Sequence, residues 1–326
     1  MTISFSAAYS VARPAAAAAD MIAAHADWST DPRKRWMTWA RRQDGQWRAA
    51  APEPVGEVGA LLPRLLAAGL PVALGLDLPL GVPREFAARR PEAGFGDFLR
   101  GLADNPDFFR VSAGLDTVSP ARPFYPQRGI AGMTRAAHAA ALDLTGPLGL
   151  SRLCDRATAQ RPAGAPLFWT LGANQSGKAA IAAWRDWIVP GLAAGAPIRL
   201  WPFEGGLHAL LAPGTAVLAE VYPAEALRHC GLKLAGSKRA EGPRRALAPA
   251  LRAVLAARGV RPDPALAAAV EAGFGTDAAG EDRFDSVIGL LGLIGVLDGA
   301  RPDFVPDDPW VRAWEGWVLG QTALPR

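Results

Sequence analysis

Residues 71–80 read P-V-A-L-G-L-D-L-P-L, an almost unbroken apolar run that carries one acid, Asp77. A run of this length and composition is typical of a central strand that is covered on both faces. An ionised carboxylate inside such a run is costly to bury without a partner. The stretch therefore predicts a buried strand of an α/β sheet and marks Asp77 as a candidate functional residue.

The residues upstream predict an antiparallel unit beside this strand. Residues 21–27 form a short apolar run that ends in Asp27, and residues 35–41 alternate bulky and polar side chains. The dipeptide Asp44-Gly45 is typical of a hairpin turn, after which residues 46–51 return as a strand. We therefore expect three strands joined in sequence, two of them as a hairpin.

The rest of the chain predicts one core that is interrupted by an insertion. A helical pattern at 55–68 precedes the strand of Asp77, and strand character returns at 198–203 and at 215–222, which carries Glu220. Further helical patterns follow at 245–258, 263–272 and 282–297. In chain order we expect a disordered extension over 1–20 (with Met21 as a candidate natural start), the first half of the core over 21–83, a mostly helical insertion over 84–196, and the second half of the core over 197–326.

Composition and charge narrow the class of protein. The formal net charge is +4, and only four of the 35 basic residues are Lys. Arg favours bidentate contacts with phosphate, so the count is compatible with a phosphate-bearing partner, although a coding bias towards G and C also explains it. Cys154 and Cys230 form neither a disulfide framework nor a zinc pattern, which favours the cytoplasm. No apolar run reaches the roughly 18 residues that a bilayer requires, so we expect no membrane partner.

Four acids stand out because of where they lie in the predicted elements. Asp27, Asp77 and Glu220 end or interrupt apolar strands, and Asp285 lies at the start of an apolar helix, with Asp282 as a near alternative. Acids at the carboxyl ends of neighbouring strands converge on one crevice of an open sheet. Crowded carboxylates repel one another unless a cation neutralises them, and their oxygens suit Mg²⁺ or Mn²⁺. We expect one acidic metal centre, while a cap, a turn or a salt bridge with Arg is the alternative for each acid alone.

The segments that carry these acids also resemble a known family. In order and spacing they are similar to the predicted RNase H-like nuclease family, also called domain of unknown function 429. The likeness runs from about residue 21 to the end and is less clear in the insertion. It is carried by A-D-W-S (Asp27), G-L-D-L-P-L-G-V-P (Asp77), A-E-V-Y-P-A-E (Glu220), G-S-K-R (Lys238), D-R-F-D-S-V-I-G-L (Asp285) and E-G-W-V at 315–318.

The resemblance implies an RNase H-like α/β fold, with three antiparallel strands followed by parallel strands in a mixed sheet that helices flank. It also implies two-metal hydrolysis of a phosphodiester, such as a nucleic acid, at Asp27, Asp77, Glu220 and Asp285. In that chemistry Asp27 would bridge two ions about 4 Å apart. One departure concerns substrate access, because His25 and Trp28 flank the first acid where many members are glycine-rich.

Two basic or polar segments are candidates for substrate binding. Residues 172–179, G-A-N-Q-S-G-K-A, resemble a P-loop between a strand-like run at 167–171 and a helix, but Ala179 replaces the hydroxyl residue that would bind Mg²⁺. Such a loop still binds anions at a helix start, and an ordinary turn is the alternative. The expected substrate-binding residues are Asn174, Gln175 and Lys178 in this loop, and Lys238 and Arg239, with Arg244 and Arg245, in the basic loop that follows the Glu220 strand.

Two other classes of function remain open from the sequence. An actin-like or sugar-kinase-type phosphotransferase shares the strand order and the first-strand acid, but normally needs two such domains and Gly-rich phosphate loops. A catalytically silent RNase H-fold binding protein would keep the acids for stability alone. Metal-dependent cleavage separates the nuclease from the silent protein, and stabilisation by ATP would indicate the phosphotransferase.

Overall fold

The computed structural model describes residues 19–128, 132–171 and 176–326. Within these residues the chain is an α/β structure with one mixed sheet flanked by helices. Of the extension predicted over 1–20, residues 1–18 lie outside the described residues. The strands are β1 (Met21–Asp27), β2 (Trp36–Gln43), β3 (Gln46–Ala49), β4 (Glu53–Pro54), β5 (Val72–Leu76), β6 (Ile198–Leu200), β7 (Ala216–Glu220) and β8 (Val260–Pro262).

The helices surround this sheet, and most of them are short. They are α1 (Val58–Leu66), α2 (Arg84–Ala87), α3 (Phe95–Gly101), α4 (Arg135–Ala141), α5 (Gly177–Ala183), α6 (Val189–Ala193), α7 (Leu207–Leu210), α8 (Pro223–His229), α9 (Glu241–Ala246), α10 (Ala248–Ala257), α11 (Pro264–Glu271) and α12 (Gly280–Leu297). A π-helical turn, Trp184–Ile188, joins α5 to α6, and a second covers Val311–Glu315. No helix of the described residues has the length and apolar character needed to cross a membrane.

The sheet confirms the predicted sequence of antiparallel and parallel pairings. The strand order is β6-β7-β5-β1-β2-β3-β8, with β4 beside β2. Strand β2 is antiparallel to β1 and β3, whereas β5, β7 and β6 run parallel to β1. The hairpin turn lies at Asp44 and Gly45, whose φ angles of 52° and 74° are those of the predicted tight turn. The finer assignment to an RNase H-like fold stays a prediction.

The register of three neighbouring strands decides where the acids point. Ala26 pairs with Leu76, and Leu76 pairs with Glu220. Paired residues of parallel strands share a face, and successive side chains alternate between faces. Asp27 and Asp77 each follow one of these paired residues, so their side chains lie on one face and that of Glu220 on the other.

Different elements pack against the two faces of the sheet. Helices α12 and α8 cover the face of Asp27 and Asp77, and α12 crosses both β1 and β2. This close approach requires glycine at 289, because a Cβ there would come within 2.2 Å of the His25 ring. Helix α1 and the insertion cover the other face, where insertion side chains such as Phe86 and Phe168 share one core with Leu74 and Leu76.

Some elements differ from the sequence prediction. Residues 167–171 form no strand, because Trp169 meets Tyr125 through a single bridge. The helix expected over 245–258 is divided into α9 and α10 around Leu247. Strand β8, which is too short to show a periodicity, adds a parallel edge next to β3, and α8 begins at Pro223 itself.

Candidate functional site

Three of the four predicted acids lie together at the carboxyl ends of the central strands. Asp27 ends β1, and Asp77 follows β5, where its backbone N–H donates to the Ala26 carbonyl at 3.2 Å. The negative charges of the Asp27 and Asp77 carboxyl groups interact unfavourably with each other. Asp285 reaches them from the second turn of α12, and its charge acts on both. Asp27, Asp77 and Asp285 therefore lie close enough for their charges to act on one another, and we call this group the acidic centre. The three carboxylates do not all lie within 4.8 Å of one another.

Burial and mutual repulsion dominate the electrostatics of this centre. Burial, and then the charge of Asp285, raises the pKa of Asp77 to about 7. Burial, and then the charges of Asp77 and Asp285, raises the pKa of Asp27 well above its usual range. Burial also raises the pKa of the neighbouring Asp282 to about 6. Burial and the repulsion between the carboxylates therefore disfavour the ionised forms of Asp27, Asp77 and Asp282 in the absence of a bound cation.

Lys238 lies at the exposed edge of the acidic centre, where its side chain is 44% exposed. Its ammonium group donates a hydrogen bond to Asp285 and lies 3.3 Å from the Glu281 carboxylate. Burial opposes its charge, but Asp285 outweighs that effect and the pKa of Lys238 is raised. The sequence predicted a phosphate ligand here, and the structure adds a direct contact with an acid of the centre.

The other basic residues of the same loop divide into exposed and structural ones. Arg239 is 85% exposed and lies 3.6 Å from Glu281, so its guanidinium is accessible to a substrate. Arg244 is buried and donates to the carbonyls of Gly273 and Gly275, at 2.8 and 2.6 Å, which contradicts its expected role as a phosphate ligand. Arg245 pairs with Glu241.

Glu220 does not join the acidic centre. Both of its carboxylate oxygens accept hydrogen bonds from the buried Arg152, at 2.6 and 2.7 Å, and one also accepts from the Leu80 backbone N–H at 2.8 Å. Its side chain lies on the face opposite Asp77. The expectation of a four-carboxylate metal centre is therefore corrected to three, because an internal guanidinium already neutralises Glu220.

Sequence reasoning missed Arg152 and its second partner, Asp155. Asp155 accepts from Arg152 at 2.9 and 3.0 Å, and Cys154 brings a third metal-type ligand close to Glu220 and Asp155. This triad is not a convincing cation site, since Arg152 supplies the positive charge there. The only signal in the sequence was the short spacing of R-L-C-D at 152–155, which does not point to a partner 68 residues away.

The P-loop-like segment is described only in part. Asn174 and Gln175 lie outside the described residues, so their expected contact with substrate stays a prediction. Lys178 is half-buried in the first turn of α5. Its neighbours Ser176 and Ala179 line the cleft beside the acidic centre.

This cleft has a volume of about 530 Å³, within the range of small-molecule sites. Asp77 of the acidic centre lines it, as does Lys238, together with Trp28, which stacks on Trp187 at a ring distance of 5.5 Å. Side chains from the insertion and α8 complete the lining, among them Arg161, Glu225 and Arg228. Asp77 therefore places the acidic centre beside a space large enough for a small molecule.

The two residues that flank the first acid have different surroundings. His25 is fully buried, its Nε2 lies 3.1 Å from the Val221 carbonyl, and burial lowers its pKa to about 4. It is a neutral packing residue at neutral pH. Trp28, by contrast, forms part of the wall of the same cleft that Asp77 lines. His25 and Trp28 therefore leave the acidic centre accessible from this cleft.

No family model, curated protein or solved structure matches this chain. The geometry of the acidic centre is therefore the basis for a functional assignment.

Proposed function

We propose that the chain is a metal-dependent, RNase H-like phosphodiesterase that hydrolyses a nucleic acid or another phosphodiester. The observation that carries the proposal is the convergence of Asp27, Asp77 and Asp285 from two parallel strands and one helix beside an open cleft. We place the activity in the cytoplasm, as the cysteine pattern predicts.

The donor set fits a hard divalent cation. The buried carboxyls of Asp27 and Asp285 and the half-buried carboxyl of Asp77 offer oxygens of the kind that Mg²⁺ and Mn²⁺ prefer. The raised pKa values of these carboxyls indicate that their negative charges are not fully neutralised, although Lys238 contributes one positive charge. Asp27 and Asp77, whose pKa values are raised, would hold the ion after releasing their protons. Such an ion, when bound, polarises the phosphate and lowers the pKa of a water molecule.

The protein's own residues would bind and orient the ester. The cleft beside Asp77 receives the group attached to the phosphate, with Trp28 as an aromatic wall. Arg239 is exposed at the loop that carries Lys238, where it is positioned to bind a neighbouring phosphate. Hydrolysis forms a bond between a water oxygen and phosphorus and breaks the ester P–O bond.

The sheet supports the RNase H-like part of the proposal. Its antiparallel β1-β2-β3 unit is followed by strands parallel to β1, with acids after β1 and β5 and a third on the helix that crosses β1. The phosphotransferase alternative has less support, because the described residues form one sheet rather than two such domains.

The test is cleavage of a panel of single- and double-stranded DNA and RNA, with Mg²⁺, Mn²⁺ or EDTA. We expect cleavage that needs the metal and falls at least about a hundredfold in Asp77→Asn, which preserves shape while removing a charged ligand. The matched control is Asp143→Asn, since Asp143 is 87% exposed and away from the centre. An active enzyme that survives Asp77→Asn unchanged, or that ignores EDTA, would refute the proposal. Thermal stabilisation by ATP without cleavage would favour the phosphotransferase.

A further inference from the structure

We infer that the acidic centre holds one divalent cation rather than two, and that Lys238 supplies the second positive charge. The inference rests on the proposed function and concerns how that function is carried out. It revises the two-metal arrangement that the family resemblance implies, in which Asp285 would complete a second metal site.

The first support is the contact that Lys238 already makes. Its ammonium group is hydrogen-bonded to Asp285 Oδ2 and lies 3.3 Å from Glu281. A second metal ion at Asp285 would have to displace this ammonium or lie against it, and two cations at one carboxylate repel each other. Asp285 is therefore already neutralised by the chain.

The second support is the distribution of the remaining charge. The Asp27 and Asp77 carboxyls repel each other, and the charge of Lys238 reaches both of them while its ammonium group pairs with Asp285 and Glu281. This leaves one pair of carboxyls whose repulsion a single divalent ion would relieve. One ion and one ammonium carry three positive charges, which match the three negative charges of Asp27, Asp77 and Asp285, while Arg239 lies 3.6 Å from the neighbouring Glu281.

The third support is that the loop holds Lys238 in place. The Lys238 carbonyl accepts a hydrogen bond from the buried Arg244. Arg244 also donates to Gly273 and Gly275, at 2.8 and 2.6 Å, so it ties the loop to the turn that precedes α12. The backbone of Lys238 is thus anchored beside the helix that carries Asp285.

The role of Lys238 in the reaction would be electrostatic. A water oxygen bonds to phosphorus, the ester P–O bond breaks, the departing oxygen takes a proton from solvent, and the attacking water releases one to solvent. Lys238 keeps its own proton and donates a hydrogen bond to a phosphate oxygen as negative charge develops there. It would therefore substitute for the charge of a second ion without acting as an acid.

The experiment is to count bound Mn²⁺ by equilibrium dialysis of the full chain, with calorimetry as a second measurement. We expect one ion per chain in the wild type, one in Lys238→Arg, and two in Lys238→Met, where Asp285 loses its internal cation. Lys233→Met is the matched control, because Lys233 is exposed on the same loop, and it should keep one ion. Circular dichroism checks that each variant is folded.

The outcomes separate this inference from the proposed function. Two ions in the wild type would overturn the inference while leaving a metal-dependent enzyme intact. One ion in both the wild type and Lys238→Met would also overturn it, because Lys238 would then not limit the count. A wild type that binds no Mn²⁺ would overturn the proposed function and the inference together.

Discussion

Gly289 lies directly against the buried ring of His25, so closely that a Cβ at 289 would come within 2.2 Å of the ring carbon Cε1. This contact sets the distance between α12 and β1. Asp285 precedes Gly289 by about one helical turn, and Asp27 follows His25 by two strand positions. Both acids therefore lie towards the carboxyl end of β1. The acidic centre therefore depends on a glycine that has no chemistry of its own.

The first prediction follows from this contact. Gly289→Ala should destabilise the chain by about 1–3 kcal/mol, since the ring and the helix must move apart. It should also weaken Mn²⁺ binding, because Asp285 moves with the helix. Urea denaturation and dialysis measure the two effects. The control is Gly59→Ala in the exposed part of α1, where an added Cβ meets nothing within 4 Å, and stability should rise by about 0.5–1 kcal/mol.

The second prediction concerns pH and metal. The folded chain raises the pKa of Asp77 from 3.8 to about 7, so between these values it holds a proton that the unfolded chain has released. Stability without metal should therefore fall as the pH rises through this window. Because metal displaces the Asp77 proton, the affinity for Mn²⁺ should rise by at least roughly tenfold per pH unit below about 7, and more steeply where Asp27 also releases a proton.

Thermal unfolding between pH 5 and 8, with and without Mn²⁺, measures this linkage. The gain in melting temperature from Mn²⁺ should be larger at pH 8 than at pH 5. In Asp77→Asn the stability of the metal-free chain should depend less on pH. A metal effect that is the same at both pH values would show that the Asp27 and Asp77 protons are not displaced.

The third prediction concerns the buried pair of Glu220 and Arg152. Glu220→Gln should destabilise the chain by about 3 kcal/mol, the lower end for breaking a buried ion pair, because Asp155 still neutralises Arg152. Arg152→Met should cost more, since it leaves two buried acids without their cation. Glu204→Gln, in a surface pair with Arg199, should cost less than about 1 kcal/mol.

Denaturation curves rank these variants, and the Mn²⁺ count in Glu220→Gln tests the site itself. We expect that count to equal the wild-type value, because Glu220 points to the opposite face from Asp77. A loss of bound Mn²⁺ in a variant that remains folded would restore Glu220 as a ligand of the centre.

Glu220 also marks the limit of what the sequence could predict. An acid in an apolar strand signals that it has a partner, and this reasoning located Asp27, Asp77 and Glu220 alike. It does not identify the partner, which for Glu220 is an arginine in the insertion, where short turns carry no periodicity. The strand order was predictable because apolar runs and the Asp44-Gly45 turn are local signals. The contact of Lys238 with Asp285 spans 47 residues and depends on the packing of α12.

The last prediction tests the cleft as the substrate site. Ala224 lines the cleft, is exposed and lies in the first turn of α8. In Ala224→Trp the new ring should occupy part of the 530 Å³ space. It should raise KM at least about tenfold, since the substrate can no longer pack against the cleft wall and exclude water from it. The Mn²⁺ count should not change, because the acidic centre is intact. Ala256→Trp, on the exposed surface of α10, is the matched control and should keep the wild-type KM. Equal KM values for the two variants, on a substrate that the wild type cleaves, would show that the ester binds elsewhere.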